Sequence, residues 1–269
     1  MSEKDDGIDD TTEAEEEDEE EEPPKTPGQW VFEIIKTWGP AVLAIIIIRT
    51  FIFQPFSIPS PSMVPTLLIG DHVVVTKFNY GIWFPDPLSF KRWELLDIAD
   101  PERGDVIVFR FPQNKAIHYI KRVVAIPGDT IQVKDNQIFI NGESYERTRN
   151  GDYTYLGESC KPSTLKLWDE KIGTMSHAKL TDYAGPSPLA YHEPIKVPEG
   201  KIFAMGDNRD HSGDSRQWGY VDEELIMGKA HFVWLSFNKC GDWANPLRWD
   251  RIGQSLYTTV EPTSPAQDK

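Results

Sequence analysis

The chain has 269 residues, with 43 acidic and 28 basic side chains and a formal net charge of −15. Residues 1–22 hold 14 of the acids and one base, Lys4, so the rest of the chain carries only −2. That near-neutral remainder excludes a broad basic nucleic-acid surface, which needs surplus Lys and Arg to meet phosphates. An aromatic content of 12% with nine Trp excludes disorder of the whole chain.

In chain order, the acidic run Glu13–Glu22 followed by Pro23, Pro24 and Pro27 repels itself and cannot bury apolar area. Residues 1–29 are therefore expected to form a disordered acidic tail. From Trp38 to Phe53 the sequence is nearly all apolar, with Arg49 its one charge. As a helix this run covers about 24 Å, short of a hydrocarbon core of ~30 Å, but it can extend backward through Ile34 and Ile35 while Arg49 snorkels. Residues 30–53 are thus expected to be one membrane span. A buried core helix and a cleaved signal peptide fit less well. No small-x-small cleavage site follows, since the next residues are Gln54-Pro55-Phe56-Ser57-Ile58-Pro59.

Beyond Ser60 the pattern turns to short β-type segments: His72–Phe78, Asp105–Phe111, His118–Ala125, Thr130–Val133, Gln137–Ile140, Lys201–Ala204 and Ala230–Leu235. Gly70-Asp71, Pro127-Gly128-Asp129, Asn141-Gly142 and Gly206-Asp207-Asn208 mark turns between them. The spacing predicts a mainly β, antiparallel body covering 54–145 and 200–255. A hairpin turns at Asp135-Asn136, a turn-rich β subdomain is inserted at 146–199, and a flexible tail occupies 256–269. Cys160 and Cys240, 80 residues apart, offer no Cys-x-x-Cys spacing for zinc or redox work. They are either disulfide-bonded, if the body lies outside the cytoplasm, or two buried thiols.

Three clusters carry chemistry. Just past the apolar run stands Ile58-Pro59-Ser60-Pro61-Ser62-Met63-Val64-Pro65-Thr66-Leu67. Later come Tyr119-Ile120-Lys121-Arg122-Val123-Val124 and Gly206-Asp207-Asn208-Arg209-Asp210-His211-Ser212-Gly213-Asp214-Ser215-Arg216. A serine hydroxyl needs a base to become a nucleophile, and a neutral lysine amine can supply one. Each tenfold change in that amine's protonation equilibrium costs about 1.4 kcal/mol, so the lysine needs apolar surroundings and no carboxylate partner. On a strand, Lys121 lies beside Ile120 and Val123 while Arg122 points to the opposite face.

In their order and content these clusters, with the span and the Gly70-Asp71 strand, resemble the bacterial type I signal peptidases over residues 35 to 253. The resemblance implies a membrane-bound serine endopeptidase that removes N-terminal signal peptides after Ala-x-Ala-like sites through an acyl-enzyme. It matches Ser62 to the nucleophile, Lys121 to the general base, Ser60 with the Ser62 N–H to the oxyanion hole, and Ser212 to the hydroxyl orienting the lysine. Phe56, Ile58, Met63, Leu67, Tyr119 and Ile120 match the substrate pocket. Arg122 with Asp207, and Asp214 with Arg216, are expected to pair structurally near the site. Pro61 stands where the family often has Gly, and His211 where it often has Asn.

The resemblance further implies no cofactor and no metal. Partners would be signal-peptide-bearing pre-proteins and the lipid bilayer, with no nucleic acid. The protein would be single-pass in the bacterial inner membrane, N-terminus cytoplasmic and catalytic body periplasmic. An interfacial role is also open to the aromatics Phe78, Tyr80, Trp83, Phe84, Phe90 and Trp93.

A calcium-loop reading of Asp207–Arg216 fails on spacing. Counting from Asp207 puts Arg209 and His211 at ligand positions, and counting from Asp210 puts Ser215 where Gly is needed. A Ser-His arrangement is disfavoured because positions 118 and 121 alternate across a strand. Two other functions share some of these features: a self-cleaving Ser-Lys regulator, which would carry a DNA-reading module instead of the span, and a non-catalytic membrane-tethered β module.

Overall fold

The structure is a computed structural model that describes residues 26–47, 53–85, 92–173, 175–185, 187–241 and 246–262. It divides into two units, residues 1–45 and 46–269. Helix α1, Pro27–Ile47, supplies the described part of the first and runs two residues past its boundary. Thr26 and Gln29 build its start as a reciprocal cap. Thr26 N–H donates to Gln29 Oε1 at 2.9 Å and Gln29 N–H to Thr26 Oγ1 at 3.5 Å, with Pro27 at the first helical position where no N–H is needed. The helix thus starts earlier than the apolar run alone indicates. Trp30, Phe32, Ile35 and Trp38 are exposed along it. No described helix is long and apolar enough to cross a membrane, and the end of the apolar run, 48–52, lies outside the described residues.

The second unit is built from antiparallel sheets. Its first strands are β1 (Phe53–Ser57), β2 (Asp71–Thr76), β3 (Gly81–Pro85), β4 (Arg92–Asp97), β5 (Val106–Phe111) and β6 (Asn114–Ala125). Then follow β7 (Thr130–Lys134), β8 (Gln137–Ile140), β9 (Glu143–Ser144), β10 (Arg147–Leu156), β11 (Pro162–Ile172) and β12 (Met175–Thr181). The last are β13 (His192–Lys196), β14 (Lys201–Met205), β15 (Val221–Asp222) and β16 (Ile226–Ser236). Seven strands form one sheet in the order β1-β2-β16-β5-β6-β14-β15. The others pair as β13-β7-β8-β9, as β10-β11-β12 and as the hairpin β3-β4.

Strand β6 makes the site possible. Its outer residues 114–118 are exposed, and its inner residues from Ile120 to Ala125 are buried on both faces. Ile120 packs with Val106, Val108 and Leu67 in one cluster, and Val123 with Ile107, Phe109 and Ala204 in another. Consecutive residues therefore point into two different cores, and Lys121 and Arg122 part company there. The β7-β8 hairpin turns at Asp135 and Asn136, both at positive φ, as a tight two-residue turn requires.

Residues 146–199 carry strands of 10, 11 and 7 residues, with β13 pairing back to β7. Cys160 and Cys240 are disulfide-bonded, Cα atoms 5.3 Å apart, which ties the β10-β11 turn to the segment after β16. Closing an 80-residue separation restricts the unfolded chain strongly. Replacing both cysteines by serine is expected to lower unfolding free energy by about 2–5 kcal/mol, read from urea titration with and without reductant. Equal midpoints for the oxidised wild type and the double variant would remove that contribution.

Candidate active site

Ser62 sits in a short 3₁₀ turn, Pro61–Met63, between β1 and β2. Pro61 at the first position presets φ for the turn. The turn sends Met63 downward, where it is fully buried in the core cluster with Ile58 and Leu67. Ser62 is 7% exposed and Lys121 4%. Lys121 Nζ and Ser62 Oγ are hydrogen-bonded at 2.7 Å, and Nζ also donates to the Ile120 carbonyl at 2.9 Å. Ser60 Oγ lies 3.3 Å from Ser62 Oγ.

The environment of Lys121 suits a base. Burial lowers its pKa to about 8; Asp214 and Asp207 pull the other way and Arg216 assists the lowering. Among the described residues Lys121 forms no ion pair, because both aspartates are committed elsewhere. Asp207 meets Arg122 at 2.8 Å and takes a hydrogen bond from Thr66 Oγ1 at 2.6 Å. Asp214 meets Arg216 at 2.7 Å and accepts from Gly206 N–H at 3.1 Å. Burial opposes ionisation of both carboxyls, but the facing arginines hold each below the usual range. Gly206 is required by proximity. A Cβ there would stand 2.2 Å from Ser212 Oγ and 2.4 Å from the Ser62 carbonyl oxygen. Ser212 is buried in this shell, but its hydroxyl makes no hydrogen bond to Lys121; the Ile120 carbonyl takes that place.

Ser60, Ser62 and Lys121 open onto a cleft of about 930 Å³, which Phe56, Ile58, Tyr119 and Ile120 also line. Met63 and Leu67 do not line it. They neighbour the serine in sequence, but their side chains are fully buried beneath the cleft floor. Residues 116–121 line it in an unbroken run, so His118 shares the cleft with Lys121 despite strand alternation. His118 packs edge-on to Phe56, ring centroids 5.7 Å apart, and His211 Nε2 meets Asp182 at 2.9 Å. Neither histidine is bonded to Ser62.

Tyr80 is buried, its hydroxyl donating to Asp105 at 2.7 Å, and Phe78 is exposed. Phe90 and the side chains of Trp83, Phe84 and Trp93 lie outside the described residues. No group of three or more His, Cys, Asp or Glu able to hold a metal occurs among the described residues.

Behind these clusters stand further residues that hold the backbone and charges of the site. Asn208 binds the backbone on both sides of Ser62. Glu170, His177, Lys179 and Arg209 form a buried ionic cluster beside Asp207. Asn208 and Arg209 stand inside a recognisable motif. Glu170 and Lys179 gave no signal beyond being charges on a strand.

Comparison with known proteins sets this chemistry in its class. Residues 31–235 match the family described as signal peptidase, peptidase S26. Signal peptidase I of Pseudomonas fluorescens is 39% identical over 219 residues, covering 76% of this chain and 72% of that protein. Those of Buchnera aphidicola (subsp. Schizaphis graminum) and Rickettsia felis are 37% and 34% identical, covering 82% and 84% of this chain and 81% and 94% of the relatives. A solved signal peptidase I from Enterococcus faecalis V583 aligns with TM-score 0.30 at 28% identity, over 49% of this chain and 98% of that one. The class is therefore that of the serine endopeptidases. Within it, the chain belongs to the signal peptidase family, peptidase S26, whose work is signal-peptide processing.

Proposed function

We propose that the chain cleaves signal peptides from exported pre-proteins by a serine–lysine dyad, with Ser62 as nucleophile and Lys121 as general base. The observation that carries this reading is the 2.7 Å contact between two buried side chains, one of them an amine with its pKa lowered to about 8. With the amine neutral, the Ser62 hydroxyl donates to the nitrogen lone pair. Attack on the scissile carbonyl moves the proton to Lys121, which returns it to the leaving amine. Lys121 then takes a proton from water as the water oxygen attacks the acyl carbon, and delivers it to Ser62 Oγ as the Oγ–C bond breaks. The Ser62 N–H and Ser60 hydroxyl hold the developing oxyanion, where one lost donor costs about 3 kcal/mol.

The cleft fits an extended peptide with small side chains. Phe56 from β1 and Ile58 just after it line this depression together with Tyr119 and Ile120 from β6, and Ile58 and Ile120 are rooted in the core cluster. Such shallow apolar walls reject bulk and favour small-x-small sites. In this reading residues 30–53 anchor the enzyme in the bacterial inner membrane, with 1–29 cytoplasmic and the body, interrupted by 146–199, on the outer side. Ser212, whose hydroxyl makes no hydrogen bond to the lysine here, backs Gly206 and so keeps the loop bearing Asp214 close to the dyad.

The test is cleavage of a precursor carrying an Ala-x-Ala site by the full chain in detergent. Wild type is expected to release the mature protein and Ser62→Ala to release none. Processing by Ser62→Ala at the wild-type rate would overturn the reading and favour another nucleophile.

A further inference from the structure

We infer that the three-stranded sheet of residues 147–181 takes part in the reaction, through Tyr155, which sets the direction of the oxyanion-binding N–H by holding the side chain of Asn208. This rests on the Ser62 reading above and extends it to residues outside the serine and lysine clusters.

The argument starts from the peptide unit. The Pro61 carbonyl and the Ser62 N–H belong to one rigid plane and point in opposite directions, so whatever fixes the carbonyl fixes the N–H. The proline ring restrains φ of residue 61 but leaves ψ free, and the plane can swing about ψ61 and φ62. A second hold is needed, and Asn208 supplies it. Its Nδ2 donates to the Pro61 carbonyl at 3.1 Å, and its backbone N–H donates to the Ser62 carbonyl at 3.1 Å. Both peptide units flanking the nucleophile therefore hang on one residue.

Asn208 is fully buried, and its amide is held from one side only. Nδ2 has a second acceptor, the Tyr155 hydroxyl at 3.1 Å, whereas Oδ1 has no hydrogen-bond partner among the described residues. The Pro61 carbonyl can only accept, so it dictates which end of the amide faces it. The tyrosine hydroxyl then decides how firmly the amide stays in that plane. Tyr155 is itself anchored: its ring packs in the cluster containing Val64, Leu167 and Leu180. Leu180 N–H donates to the Asp207 carbonyl at 2.9 Å, joining β12 to the same loop. The chain of contacts runs from the sheet through the Tyr155 hydroxyl and the Asn208 amide to the Pro61 carbonyl and the Ser62 N–H. Tyr155 and Asn208 are positioning residues, because neither lines the cleft.

Tyr155→Phe removes only the hydroxyl and keeps the ring in its cluster, so folding is preserved. In the full chain in detergent, kcat is expected to fall about fivefold, the equivalent of one neutral hydrogen bond, with KM within twofold of wild type. Asn208→Ala is expected to lower kcat about 100-fold, as for a misdirected oxyanion donor. Two inhibitors separate positioning from packing. A peptide aldehyde ending in Ala-x-Ala forms a tetrahedral adduct, and its affinity should fall in both variants by the same factor as kcat. The cleaved signal peptide, which places no oxyanion there, should bind as to wild type. The acid limb of the pH profile should not move, since Lys121 is untouched. Unchanged kcat and aldehyde affinity in Tyr155→Phe would overturn the proposal, as would parallel loss of both inhibitors, which marks a packing defect. Inactivity of Ser62→Ala alongside either result leaves the dyad standing, whereas an active Ser62→Ala removes the reading on which the proposal rests.

Discussion

Lys121→Ala is expected to lower kcat by at least about 10³-fold while leaving the cleft and its affinity for product peptide intact. The magnitude follows from what the amine does. Without a proton acceptor 2.7 Å from Ser62 Oγ the hydroxyl remains a poor nucleophile, and removing one member of such a unit costs nearly as much as removing all of it. Lys121→Arg is expected to be equally inactive despite its retained charge, because guanidinium does not deprotonate in proteins and so cannot accept the proton. A small primary amine added to Lys121→Ala should restore part of the rate, since the vacated space lies at the cleft. Retention of more than a tenth of wild-type activity by Lys121→Ala would remove it as the base.

The same assignment fixes the pH profile. In the proposed mechanism the working form is the neutral amine, and burial lowers its pKa to about 8. Going down in pH through that value protonates the base, so kcat/KM should fall tenfold per pH unit below about 8 and reach its plateau above it. The carboxylates cannot produce this limb. Asp207 and Asp214 are held below the usual carboxylate range by Arg122 and Arg216 and keep their charge throughout. An acid limb lying instead below the ordinary histidine range, where burial and Arg110 push His118, and vanishing with His118→Gln, would identify a histidine as base.

How much of this was legible beforehand depended on whether each residue's task is local. Lys121 and Arg122 could be assigned to opposite faces because a strand alternates, and the structure sends one to Ser62 and the other to Asp207. The turn at Asp135-Asn136 was legible because two residues at positive φ restrict which side chains occupy it. For Met63 and Leu67 adjacency to the nucleophile says nothing of direction, and the structure seats both in the core cluster with the cleft-lining Ile58 and Ile120. The long strands of 147–181 carry apolar alternation only in short pieces, Tyr153-Thr154-Tyr155 and Leu165-Lys166-Leu167, which do not announce strands of 10 and 11 residues. Their exposed faces bear Arg149 and Lys171, and some of their buried positions are themselves charged or titratable: Glu170, His177 and Lys179. Asn208 stood in plain view within Gly206-Asp207-Asn208, but its partners are 53 and 147 residues away, and no local pattern reports them.

That inward-facing charge leads to the largest expected effect on stability. Glu170 is fully buried and paired to Lys179 and to Arg209, with His177 Nε2 3.5 Å from it and 3.7 Å from Asp207. Burial alone would push the Glu170 carboxyl up; Arg209, Lys179 and His177 overcome this and hold it well below the usual carboxylate range. Glu170→Gln removes the one charge that balances two cations. Lys179 can shed its proton, but Arg209 cannot, so a buried guanidinium is left without its counter-ion. The expected cost is about 3–5 kcal/mol of unfolding free energy, measured by urea titration of the full chain in detergent. Adding Arg209→Met should recover part of it, because the uncompensated charge then goes too.

The pH dependence carries the sign. A carboxyl depressed in the folded state contributes stability that is complete above its unfolded pKa, about 4.3, and is lost as pH falls through and below that value. Wild type should therefore lose stability steeply below about pH 5, and Glu170→Gln less steeply over the same interval. Parallel slopes for the two proteins, or a loss under about 1 kcal/mol at pH 7, would show that Glu170 is not the counter-ion on which this cluster depends. The cluster also has a bearing on the reaction. Arg209 Nε donates to the Gly206 carbonyl at 3.1 Å, so the carboxylate that neutralises Arg209 also keeps in place the glycine packed against the Ser62 backbone.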